Sequence, residues 1–368
     1  MMEKENMQSL KELMDAELRL INISNEFLSL ESFISDGKAC IKFIKEILND
    51  AEYELPEQKS DLYNIAEMRA RHSVVTFLMG LVFKRFGGIF DTISSVINIT
   101  DKPKTAQYMW LITSLYHDVA YSSKHIKDSQ LDYHSKFDPY LLEDTYRNNL
   151  ESLNDFSIYY PKTLAYTYEE IVVYDKYARK YHNQKGDSER IDHGILGGII
   201  TFERLTQKAI KQNMNKELTI IKACSLTISQ HNIYKSASEE DDVKYMEYPE
   251  LYKLYYNSAF RIDSNTPLLL FLCLVDTLEC VKKFSREHNS SKYLHTLTVL
   301  DSIKLNVCEN IIKIDLSELR KRVEDKKDKQ LNGDYISYLN NGLLKLQEWT
   351  SFFSMTIDCK DYVEIKLN

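Results

Sequence analysis

Glycine and proline are both scarce. The chain contains 10 and 6 of them among 368 residues, where average usage is about 7% and 5%. That excludes collagen-like and low-complexity disordered chains and argues against a turn-rich all-β sandwich. These are the two poorest helix formers, so their scarcity leaves room for long helices. No cysteine belongs to a C-x-x-C pair: Cys40, Cys224, Cys273, Cys280, Cys308 and Cys359 stand apart, mostly in apolar surroundings. Free buried thiols in a reducing compartment are expected. The longest apolar run, Leu268 to Val275, falls far short of the roughly 20 residues a bilayer requires. The charged N-terminus holds no apolar signal core. The sequence therefore predicts a soluble, cytoplasmic protein with no membrane partner. There is no excess of positive charge either: 47 Lys and Arg against 55 Asp and Glu give a net charge of −8. A field of that sign repels phosphate backbones, so nucleic-acid binding would need a local basic groove.

A chain of 368 residues suffices for one large domain or two ordinary ones. Residues 1–50 read as helical. Strongly apolar segments follow at 62–86 and 106–121, and helical patterning returns at 191–212, 216–231 and 266–285. The intervening residues 122–190 are polar and tyrosine-rich, as an insertion would be. Near the end the period changes. Ile303, Leu305 and Val307, then Ile312, Ile314 and Leu316, then Val363, Ile365 and Leu367 alternate with mostly polar residues, the period-2 signature of strands. Residues 317–329 and 334–350 between them read as helices. The expected fold class is mainly α. Its divisions are a helical extension over 1–55, a helical domain over 56–290 with the insertion at about 122–190, and a small α+β region over 291–368.

Function begins where ionisable residues interrupt apolar helices. Asp276 directly follows Leu268–Val275, and a carboxylate on an all-apolar helix is costly unless paired or metal-bound. His117 and Asp118 follow the apolar stretch from Tyr108 to Tyr116. His72 shares a face with Ile65, Met68, Val75, Met79 and Val82, at helical spacings of three and four. His193 opens an apolar helix and His231 closes another. Each feature alone is weak, since a lone histidine on an apolar face is more often a satisfied core residue. The conjunction matters: five of nine histidines sit at the face or end of an apolar helix. Imidazole with carboxylate is the ligand chemistry of Mn, Fe, Co, Ni and Zn, and one shared metal site would satisfy all these groups together.

These residues resemble the HD-domain metal-dependent phosphohydrolase superfamily. The resemblance lies in R-x-R-H-S at 69–73, L-Y-H-D-V-A-Y at 115–121, D-H-G-I-L-G-G at 192–198, I-S-Q-H-N at 228–232 and L-V-D-T-L-E at 274–279. It covers roughly residues 60–285. It implies a helical core around two divalent ions, with His72, His117, Asp118, His193, His231 and Asp276 as ligands and Asp118 bridging. The ion could be Mn, Fe, Mg, Zn, Co or Ni. It implies a hydrolase of the phosphodiesterase or nucleotidase type, in which a hydroxide between the ions attacks a phosphoester or phosphoanhydride of a small substrate such as a nucleotide or cyclic nucleotide.

One departure from the family leaves phosphate recognition unassigned. Many members carry H-D-x-G-K, and here Tyr121 stands in the lysine's place. Lys124, one turn on, could reach the site or lie on the surface. Arg69 and Arg71 are candidate phosphate contacts or plain surface residues. Asp192 either orients a ligand or water as a catalytic residue, or caps the following helix. Tyr245, Tyr248, Tyr252, Tyr255 and Tyr256 either wall a pocket or pack on the core or on a second subunit of a homo-oligomer. Two other functions compete: a single-strand nuclease, resembled by the D-H-x-x-x-G-G segment but opposed by the acidic charge, and a metal-binding regulatory module without turnover.

Overall fold

A computed structural model describes residues 7–21, 27, 29–49, 65–96, 102–120, 193–212, 217–232, 267–285, 294–326, 342–347, 350, 353–358 and 361–368. The expected insertion, Tyr121, Lys124, Asp192 and the tyrosines after His231 lie outside them. The described residues are mostly helical, with one small antiparallel sheet.

The chain opens with a two-residue strand, β1 (Gln8–Ser9), and helix α1 (Leu10–Leu20). A capping box starts α1: Ser9 Oγ accepts from the Glu12 N–H at 3.1 Å, and Glu12 accepts from the Ser9 N–H at 3.0 Å. Short α2 (Leu30–Phe33) and α3 (Gly37–Ile47) follow. Next comes α4 (Ile65–Phe83), whose residues from Ala70 to Phe83 are all buried. At Phe86–Gly88 the chain turns through a short 3-10 segment in which Gly87 has φ 64°, a conformation open to glycine at little cost. This turn bends the path by 101° into α5 (Ile89–Val96), which was not among the expected helices. Helices α6 (Lys102–Tyr116), α7 (His193–Lys211), α8 (Leu218–Gln230) and α9 (Pro267–Leu278) complete the core.

All twelve residues of α9 are buried. It packs on α4, α5, α6 and α8, so its apolar circumference reflects a place at the centre of the core. The expected helix 266–285 is not continuous. It breaks at Glu279–Cys280 and resumes as α10 (Val281–Phe284), because the Glu279 carboxylate accepts the N–H groups of Val281 and Lys282 at 2.6 and 3.3 Å.

Helix α11 (Thr296–Ser302) leads into β2 (Lys304–Val307), β3 (Ile311–Asp315), α12 (Ser317–Asp325), β4 (Phe353–Asp358) and β5 (Tyr362–Leu367). The sheet order is β1-β2-β3-β5-β4, all pairs antiparallel. Leu305, Ile312, Ile314, Val363 and Ile365 point to the buried face, as period-2 patterning requires. β4 is an addition to the expected strands. The N-terminal helices are not detached from the rest: β1 joins this sheet, α1 packs on α4 and α11, and α3 packs on α4.

Cys40, Cys224, Cys273 and Cys280 are buried free thiols, and Cys308 is a free thiol at the surface. Burial pushes the Cys224 thiol up to about 12. No single described helix is long and apolar enough to cross a membrane.

The α4–α6 contact sets the spacing of the site. Gly80 faces Trp110, whose indole N–H donates to the Phe77 carbonyl at 2.9 Å, and a Cβ on Gly80 would overlap the ring. Gly80→Ala should therefore destabilise the protein by about 1–3 kcal/mol, read as a lowered denaturation midpoint. An unchanged midpoint would show that the contact is loose.

Candidate metal centre

Five segments deliver the six candidate ligands. His72 lies in the middle of α4, and His117 and Asp118 directly follow α6. His193 is the first residue of α7, His231 caps the end of α8, and Asp276 is in the last turn of α9. They form two groups that could each hold a metal ion, with ligand atoms within 4.8 Å of one another: His72, His117 and Asp276, and Asp118, His193 and His231. The four imidazoles form an edge-to-face chain. Ring centroids are 5.1 Å apart for His72–His117, 5.4 Å for His117–His231 and 5.2 Å for His231–His193.

Asp118 links the two groups. Its Oδ1 is 3.3 Å from His193 Nε2 and 3.8 Å from His117 Nε2, and its Oδ2 is 3.5 Å from His72 Nε2. Asp276 Oδ1 is 3.2 Å from His72 Nε2 and 3.7 Å from His117 Nε2. Donor atoms held about 2.0–2.2 Å from one ion stand about 3.0–3.6 Å apart, the range most of these separations occupy.

The histidine tautomers are set by local structure. His117 Nδ1 donates to the Ser114 carbonyl and His231 Nδ1 to the Ile228 carbonyl, both at 2.7 Å and three residues back. These carbonyls belong to the last turns of α6 and α8, where backbone partners run out. A carbonyl can only accept, so each Nδ1 carries a proton, and in the neutral imidazole Nε2 keeps the lone pair. His72 Nδ1 lies 2.7 Å from Glu279 Oε2, the carboxylate–histidine pairing that orients metal ligands. With its Nδ1 proton engaged by Glu279, His72 Nε2 stands 3.2 Å from His117 Nε2. Two lone pairs at that range repel unless a cation lies between them or one nitrogen is protonated. Burial and Lys282 act against the charged form of His72, yet Glu279 and Asp276 outweigh them and leave it raised above the ordinary imidazole value.

Burial also acts against ionisation of Asp118. Arg69, then His117 and His193, outweigh it and hold the carboxyl well below its usual range. The Arg69 guanidinium is 2.8 Å from Asp118 Oδ2. Arg71 does not join the cluster: it is buried, and it donates to the carbonyls of Ile34 and Ser35, both at 2.9 Å. Helical angle separates the two. Arg69 lies three residues before His72, on the same face, while Arg71 is turned about 100° away.

Gly197 lets α7 approach. A Cβ there would meet the His117 carbonyl and the Ile228 side chain, both at 3.3 Å. Three polar neighbours had no assigned role in the sequence reading. They are Glu279, Lys282, whose Nζ is 2.8 Å from Asp276 Oδ1, and Asn232, whose side-chain amide is 2.9 Å from His193 Nε2. Each falls within six residues of an expected ligand. Glu279, an acid in an apolar run three residues after Asp276, carried the clearest signal.

No protein-family model, curated protein or solved structure matches the chain.

His117→Ala and Asp118→Ala should each lose bound divalent metal, measured by elemental analysis of the purified proteins. Near-stoichiometric metal in both would remove the assignment.

Proposed function

We propose that the protein is a metal-dependent phosphohydrolase of the HD-domain type. Its substrate is a small phosphoester or phosphoanhydride, a nucleotide or cyclic nucleotide. The observation supporting this is the convergence of His72, His117, Asp118, His193, His231 and Asp276 on one buried centre, with Asp118 common to both halves.

Four imidazoles to two carboxylates favour a transition ion over Mg. Divalent ions there would supply Lewis acidity and a water of lowered pKa. The side chains supply the rest. Asp118, kept ionised beside Arg69, can share its two oxygens between both halves. His117 and His231 cannot rotate away without giving up a backbone carbonyl. Three carboxylates, Glu279 included, would leave two divalent ions incompletely neutralised, so a loaded centre would attract an anion despite the net charge of −8. Its burial strengthens that attraction by lowering the local dielectric. The roles that the sequence suggests for Asp192 in orienting the attacking water and for Lys124 and Tyr121 at the substrate belong to the same proposal.

Metal-loaded protein should hydrolyse nucleotides, cyclic nucleotides or p-nitrophenyl phosphoesters. Chelation should abolish the activity, and Asp118→Asn should lower kcat at least about 100-fold. Faster cleavage of single-stranded DNA than of any small phosphoester would replace this reading with a nuclease. Bound metal without turnover of any of these would replace it with a binding module.

A further inference from the structure

Among the described residues, Asp276 and Asp118 each have a cation on an oxygen that lies near His72 Nε2. Lys282 Nζ is 2.8 Å from Asp276 Oδ1 and 3.2 Å from the Asp276 carbonyl. That Oδ1 is the same atom that lies 3.2 Å from His72 Nε2. Arg69 stands likewise on Asp118 Oδ2, the oxygen nearest His72. The side chains of His72, His117, Asp118 and Asp276 are at most 4% exposed, whereas Lys282 is 22% and Arg69 and His193 are each 13% exposed. Glu279, on the Nδ1 side of His72, is 0% exposed.

A residue beside a metal ligand can act in two opposed ways. Glu279 accepts a proton from the far nitrogen of His72, so it supports coordination. Lys282 occupies the coordinating oxygen itself, so it competes with an ion. A divalent ion on Asp276 Oδ1 would face the ammonium at close range in a low-dielectric site, where like charges repel strongly. The four-carbon stem of lysine lets the ammonium move off that oxygen, and the side chain is partly exposed.

We infer that Lys282 is a substrate-binding residue. Its ammonium, within hydrogen-bond reach of Asp276 Oδ1, would leave that oxygen to a bound ion and donate to an oxyanion of phosphate held at the centre. The inference rests on the phosphohydrolase reading and gives it the phosphate contact that the H-D-V-A-Y segment lacks.

Binding measurements test this without recourse to turnover. Co2+ titration of Lys282→Met and Lys282→Gln should show affinity equal to or higher than that of the unmodified protein. Glu279→Gln should bind Co2+ about 10- to 100-fold more weakly. Calorimetry of the Co2+-loaded proteins with inorganic phosphate should show binding weakened about tenfold in both Lys282 variants, and largely restored in Lys282→Arg. Weakened Co2+ binding in the Lys282 variants, of the size seen in Glu279→Gln, would make the lysine a support for Asp276 and overturn the inference. Unchanged phosphate binding would overturn it as well, while leaving the phosphohydrolase reading intact. Unmodified protein that holds Co2+ but no phosphate would overturn both.

Discussion

The structure depends on a requirement for positive charge at its centre. Four imidazoles and the carboxylates of Asp118, Asp276 and Glu279 gather where apolar helices pack, and nearly all are screened from solvent. Such groups cannot be left uncompensated in a low-dielectric interior. Every surrounding device meets that requirement: Arg69 on Asp118, Lys282 on Asp276, the proton favoured on His72. A core filled with leucine would be simpler to stabilise. Retaining so many polar groups implies a role that an apolar core could not perform.

The precision of the centre comes from ordinary helix chemistry. Helix ends have carbonyls without backbone partners, and α6 and α8 each place a histidine where its Nδ1–H meets one of them. That hydrogen bond ends the helix, fixes the tautomer and aims the other nitrogen inward. Glu279 combines roles in the same way: it orients His72 while its backbone contacts break α9 from α10.

Much of this was legible in the sequence. Helices α4, α6, α7, α8 and α9 announce themselves as long apolar or periodic segments, and the ligands as polar interruptions in them. β2, β3 and β5 follow from alternation. β4 carries the same pattern, since Phe353, Met355 and Ile357 alternate with Ser354, Thr356 and Asp358, but it falls next to residues with a helical reading. β1 is two residues long, and its pairing depends on β2, nearly three hundred residues away, which no local pattern encodes. Lys282 was hidden for a geometric reason. On a continuous helix the residue six beyond Asp276 points about 240° away, and Lys283 would share the aspartate's face instead. The break at Glu279–Cys280 brings Lys282 back to Asp276.

His72 and Glu279 meet across 207 residues of chain, and the other ligands come from segments between them. In topological terms the centre is a knot of long loops tied at a single point. Loop-closure entropy must be overcome before such distant contacts repay it, so the complete donor set exists only once all five segments have docked. An ion held there would act as a multi-way cross-link between the five segments.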